Sequence, residues 1–163
     1  MVVDKVLGNC KDFPIGDRKT EKVFLEWFEL DKKLLRKTTE AGEEIGIRLE
    51  EHGHGHLHEG DILYVDTQKV IVVDLLPCEL TVVNVNSMKE MGRLCFELGN
   101  RHLSLAITDT QVSVPYDEPT FSYLVKLGFT PERVTEKFSH FTVCHAHGHT
   151  HTHAHEGEAY EHI

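Results

Sequence analysis

The apolar residues of this chain change their period once, and the change follows Pro77. Before it they alternate, or gather in short runs between turn residues, which is the pattern of β-strands. After it a helical stripe follows a capping box. Neither a uniform sheet nor a helix bundle satisfies both patterns, so the order predicts an all-β region followed by a mixed one. The length, 163 residues, suits one average domain or two small ones.

In the first region Val2, Val3, Val6 and Leu7 predict a short opening strand, and residues 10–21 read as loop. Val23, Leu25 and Trp27 alternate with Phe24, Glu26 and Phe28, predicting a strand over 22–30. Strands over 34–39 and 44–49 flank Glu40-Ala41-Gly42-Glu43, and strands over 61–65 and 69–76 flank Asp66-Thr67-Gln68. The expectation is a small all-β barrel or sandwich over residues 1–76.

In the second region Leu80–Val85 alternates as a strand. Ser87 and Glu90 form a capping box, Met88, Met91, Cys95 and Leu98 share one helix face, and Gly99 and Asn100 end the helix. Strands follow at Leu103–Thr108 and Val112–Pro115. A second helix starts near Asp117 with Pro119 in its first turn, buries Phe121, Leu124 and Val125, and stops at Gly128. Residues 134–141 close the set. The order β-α-β-β-α-β predicts a ferredoxin-like domain over residues 77–143 and an α+β class for the chain. From Cys144 apolar periodicity is lost, and residues 144–163 read as a disordered, flexible His-rich tail.

A formal charge of −10 argues against nucleic acid as partner, because such binding rests on basic residues against phosphates. No apolar run approaches the roughly 18 residues of a spanning helix, so no membrane partner is expected. The start MVVDKVLG has no basic stretch followed by an apolar core. Cys10, Cys78, Cys95 and Cys144 are scattered without a CxxC, which fits reduced thiols and a cytoplasmic setting. Walker A, GxSxG, GxGxxG and HExxH motifs are absent, so no enzymatic activity is expected.

Histidine points elsewhere. The chain has 13, and ten of them alternate with other residues in two runs. The first holds His52, His54, His56 and His58; the second holds His145, His147, His149, His151, His153 and His155. Neutral imidazole is the commonest transition-metal ligand. In extended chain, side chains two apart share a face about 6–7 Å apart along the strand, close enough for neighbouring rings to share an ion with modest adjustment. Cys144 precedes the second run and can add a thiolate to a soft-metal site. The first run falls between strands, on an expected exposed loop. It differs from the HxHxDH of metallo-hydrolases, because His58 stands where Asp is needed and Glu59 where His is needed. His102 stands alone after the first helix. A helix C-terminus favours a cation, yet one imidazole cannot satisfy a transition metal, so a two-fold axis would have to supply a second.

Phe96-Glu97-Leu98-Gly99-Asn100-Arg101-His102 resembles the signature of the UreE urease accessory proteins. Leu25-Glu26-Trp27, Gly60-Asp61-Ile62-Leu63-Tyr64, the 88–98 helix and the His-rich end agree with it. The resemblance runs to about residue 143. It implies a nickel metallochaperone that delivers Ni²⁺ to apo-urease with the GTPase UreG and the other accessory proteins. It also implies an N-terminal domain similar to a peptide-binding module of Hsp40-type chaperones, and a C-terminal domain that forms a homodimer and binds metal. His102 matches the family's interfacial ligand. Two further histidines of some members would fall where Tyr116 and Glu118 stand. Zn²⁺ and Cu²⁺ compete with Ni²⁺ at such donors. The alternative is a histidine-rich storage or buffering protein; a third reading is a peptide-binding scaffold in which the histidines are incidental.

Overall fold

The computed structural model describes residues 1–49 and 56–142. The chain begins with β1 (Val2–Val3), β2 (Gly8–Asn9), β3 (Lys19–Leu25) and a 3-10 turn over Trp27–Glu29. It continues through β4 (Leu34–Thr38), β5 (Glu44–Arg48), β6 (Asp61–Val65) and β7 (Lys69–Leu75). These strands make two sheets, ordered β1-β5-β4 and β2-β6-β7-β3. Both expected hairpins are present, with β4 antiparallel to β5 and β6 antiparallel to β7.

The two sheets share one core. Val23 and Leu25 of β3, Ile45 and Ile47 of β5, and Ile71 and Leu75 of β7 pack together. Strand β7 is buried along both faces, because Val70 and Val72 turn the other way onto Ile62, Phe13 and Ile15. A strand covered on both sides is an unbroken apolar run, which is why Val70-Ile71-Val72-Val73 does not alternate. The strand expected over 22–30 starts earlier and stops at Leu25. The Glu26 N–H donates to the Glu29 carboxylate at 2.9 Å, closing a tight turn that takes Trp27 out of the sheet.

The second half holds β8 (Pro77–Asn84), α1 (Met88–Asn100), β9 (Leu105–Ile107), β10 (Gln111–Pro115), α2 (Glu118–Lys126), β11 (Pro131–Lys137) and β12 (Phe141–Thr142). Its sheet is ordered β11-β8-β10-β9-β12, with every pair antiparallel. Pro77 opens β8, a position that tolerates its missing N–H. Two helices among mostly β elements make the class α+β. Among the described residues no helix is long and apolar enough to cross a membrane.

Strand β8 is the wall between the halves. Val83 joins a core with Leu94 and Leu98 of α1 and Leu124 of α2. Leu80 and Val82 face the opposite way, onto Phe138 and Trp27. The Trp27 ring stands edge-on to Phe138 at 5.3 Å and to Phe141 at 5.6 Å, and Phe138 and Phe141 are stacked at 4.7 Å. Each such pair contributes about 0.5–1.5 kcal/mol beyond the area it buries. Phe138 is almost wholly enclosed, so truncating it to alanine should cost about 3–5 kcal/mol.

An ion cluster borders the aromatic joint. Buried Asp74 on β7 accepts from Lys22 on β3 at 2.8 Å and from Lys137 on β11, which also pairs with Glu59. Burial pushes the Asp74 carboxyl up, but the hydrogen bonds from Lys137 and Lys22 outweigh it and hold the group at about 2. In the unfolded chain an aspartate titrates near ~3.9. The folded value is the lower one, so the contribution is full above pH ~4 and is lost as pH falls toward 2. Denaturant unfolding should therefore show stability declining through that window. Asp74→Asn should be about 1–3 kcal/mol less stable at neutral pH and show a flatter decline. An unchanged acid profile in the variant would mean that Asp74 does not link the halves.

Candidate metal site at the end of the first helix

Helix α1 starts where the capping box placed it. The Ser87 hydroxyl accepts from the Glu90 N–H at 3.2 Å, and the Glu90 carboxylate accepts from the Asn86 N–H at 2.8 Å. The inward stripe is Met91, Leu94, Cys95 and Leu98, spaced i, i+3, i+4, i+7. Met88 was expected on that stripe but is 90% exposed, because it sits in the first turn before the helix reaches the sheet. On α2 the buried residues are Thr120 and Leu124, while Val125 is exposed and Phe121 only half-buried.

The helix outlasts its expected stop. Gly99 and Asn100 are still helical, and the reversal comes at Arg101 and His102. The Arg101 N–H donates to Leu98 O at 3.1 Å and the His102 N–H to Gly99 O at 2.9 Å. His102 then takes a left-handed backbone with φ 56°. That conformation is rare for side-chain-bearing residues, although His, Asn and Asp accept it better than most. The residue is exposed.

The residues around His102 are tied elsewhere. The Tyr123 hydroxyl donates to the Glu97 carboxylate at 2.6 Å, a bond that pushes the phenol's pKa up. The Arg101 guanidinium lies over the Tyr123 ring at 5.2 Å and donates to Thr120 Oγ1 at 3.3 Å. Leu98 is buried. Of the seven-residue motif, Glu97, Leu98 and Arg101 thus fasten the helix end to α2 and the core, while His102 is presented at a terminus whose carbonyls favour a cation.

One face of the same helix is exposed and apolar. Met88 is 90% and Phe96 66% exposed. A Cβ added at Gly92 or Gly99 would meet nothing within 4 Å. A helical glycine costs about 0.8–1 kcal/mol relative to alanine, and nothing among the described residues requires it at either position.

The other expected metal residues divide. His52, His54, Cys144, His145, His147, His149, His151, His153 and His155 lie outside the described residues. His56 and His58 are described, and they do not sit on a simple exposed loop. Leu57 between them is wholly buried, and its N–H donates to Leu30 O at 2.9 Å. Among the described residues no three of His, Cys, Asp and Glu are grouped so that they could hold a metal ion. Cys10, Cys78 and Cys95 are free, and burial pushes the Cys78 and Cys95 thiols up, away from thiolate chemistry. Tyr116 and Glu118 are bonded to each other at 2.5 Å.

His140 is a residue that sequence reasoning passed over. It has a left-handed backbone, φ 54°, and lines a cavity of about 60 Å³ together with His56 and His58. A lone histidine near the end of an expected strand carries no local signal of that meeting.

The family model described as UreE urease accessory protein, N-terminal domain, matches residues 3–76, and that for the C-terminal domain matches residues 78–162. The urease accessory protein UreE of Flavobacterium johnsoniae is 36% identical over 140 residues, covering 86% of this chain and 84% of the relative. The urease accessory protein UreE of Acetivibrio thermocellus is 39% identical over 140 residues, covering 85% and 90%. With both halves matched and relatives of this identity aligned along most of their own length, the chain belongs to the UreE family of urease accessory proteins.

Proposed function

We propose that this chain is a cytoplasmic nickel metallochaperone, active as a homodimer, that carries Ni²⁺ to apo-urease in concert with the GTPase UreG. Nickel is its cargo. The observation that carries the reading is the presentation of His102: an exposed imidazole at a helix C-terminus, reversed by a left-handed backbone, with its neighbours fastened to α2. Two copies of that imidazole across a two-fold axis make a nickel site that one copy cannot. The exposed Met88 and Phe96 and the open space at Gly92 and Gly99 suit close approach of a second α1. We read residues 77–143 as a ferredoxin-like dimerisation domain, residues 1–76 as a small β barrel or sandwich of the peptide-binding kind, and 144–163 as a flexible tail.

The tail histidines and Cys144 would supplement the His102 pair and exchange one at a time, replacing one high dissociation barrier with several lower ones. Zn²⁺ and Cu²⁺ compete at such donors, so choice of nickel rests on availability and partners. The two alternating runs favour one other reading, a metal buffer. A buffer holds many weak ions and needs no partner; a chaperone has a tight dimer-linked site and raises urease activation.

His102→Asn separates them, because asparagine keeps the left-handed backbone and removes the imidazole. Nickel titration should show the tightest site gone and the weaker ones retained, with metal-free stability changed by less than ~0.5 kcal/mol. Activation of apo-urease with the accessory proteins should fall with it. Full activation by this variant would favour the buffer. Removal of residues 144–163 should lower the number of nickel ions bound yet leave a cooperatively unfolding dimer; loss of cooperative unfolding would refute that boundary.

A further inference from the structure

The metal-site reading of His102 leaves His56 and His58 without a role. Both flank buried Leu57 in the connection from β5 to β6, at the joint between the halves. Their ring centroids are 5.5 Å apart and the ring planes tilted by 46°. Two imidazoles on one ion, each with a metal–nitrogen bond of about 2.0–2.1 Å, place their ring centroids roughly 4.5–6 Å apart.

Each ring also has a carboxylate at the same nitrogen. His56 Nδ1 stands 3.0 Å from Asp31 Oδ1, and His58 Nδ1 stands 3.7 Å from Asp61 Oδ2. A carboxylate within hydrogen-bond reach of Nδ1, as Asp31 is at His56, orients the ring and favours the tautomer that leaves Nε2 with its lone pair, the outer-shell arrangement of metal-binding histidine. At His58 the carboxylate stands too far for that bond and instead fixes the backbone N–H. Asp61 is itself fixed: it accepts from the His58 N–H at 2.7 Å and from Asn9 Nδ2 at 3.1 Å. Its neighbour Gly60 has φ 86°, and a Cβ there would fall 2.8 Å from Cys10 Sγ, so this turn has one close-packed form. The rings line a cavity of about 60 Å³ shared with Phe141 and His140, enough for an ion and a few waters.

We propose that His56 and His58 bind a first-row divalent cation through their Nε2 atoms, at a second site separate from His102. Water completes the coordination. Two protein ligands hold an ion loosely and leave positions open for a receiving ligand, which suits a loading or transfer site better than a storage site. The identity of the ion as nickel rests on the proposed function; the site itself does not.

Trp27, the chain's single tryptophan, reports on the site, since its ring touches Phe141 on the cavity wall. In the full chain, Ni²⁺ should quench Trp27 emission saturably. His56→Gln with His58→Gln should abolish that component, and His102→Asn should leave it in place. Asp31→Asn, which removes only the carboxylate behind His56, should weaken it about 10–100-fold. With Zn²⁺ as a diamagnetic probe, nitrogen NMR should show Nε2 of both rings shifted and the His56 Nδ1 proton retained. Quenching that survives the double substitution, or zinc shifts at Nδ1, would overturn the proposal, as would a wild-type Trp27 silent to nickel while the His102 site fills. No nickel binding at either place would overturn this site and the proposed function together.

Discussion

The edge-on contact of Trp27 with Phe138 and Phe141 is the interaction on which the arrangement of the two halves depends. Trp27 reaches it because β3 stops two residues earlier and the Glu26–Glu29 turn swings the ring out of its own sheet. Phe138 reaches it from just beyond β11, the edge strand paired with β8. Leu80 and Val82 supply the floor. The Asp74, Lys22, Lys137 and Glu59 cluster borders this apolar contact with charge, and the hydrogen bonds from Lys137 and Lys22 offset the desolvation of Asp74. A joint of that kind gives β8 one face on the α1–α2 core and the other on the aromatic contact.

Strand β8 also positions the proposed metal ligand. Its inner face carries α1, and α1 carries His102 at its far end. Near that end Glu97 is engaged by Tyr123, and Arg101 by Thr120 and the Tyr123 ring. At the joint, carboxylates likewise stand beside His56 and His58, with Asp31 3.0 Å from His56 Nδ1.

Much of this was readable where the signal is local. The Ser87 and Glu90 box, the Asp117 cap with Pro119, both hairpins and the α+β class all come from neighbours in sequence acting on one another. The misreadings share a cause, which is that tertiary contact decided the outcome. Trp27 continues the alternation of Val23 and Leu25, yet it serves the other half of the molecule. Met88 fits the helical stripe but lies before the sheet begins. Leu57 sits inside a polar, His-rich run and is nonetheless buried, because it joins the core that holds Leu30 and Ile71 and its N–H is tied to Leu30 O. The motif ending in His102 was legible as a motif; the reason Arg101 and Glu97 accompany it was not, since their contacts depend on α2 lying alongside. The meeting of His140 with His56 and His58 joins residues more than eighty apart and leaves no periodic trace.

The central claim is that one nickel ion is shared by two His102 imidazoles across a two-fold axis. Native mass spectrometry of the full chain at limiting Ni²⁺ measures this directly. The claim requires that the first ion appear on dimers, one nickel per two chains, before any species with more metal accumulates. A first ion bound one per chain, with nickel-loaded monomers at the same limiting concentration, would contradict it.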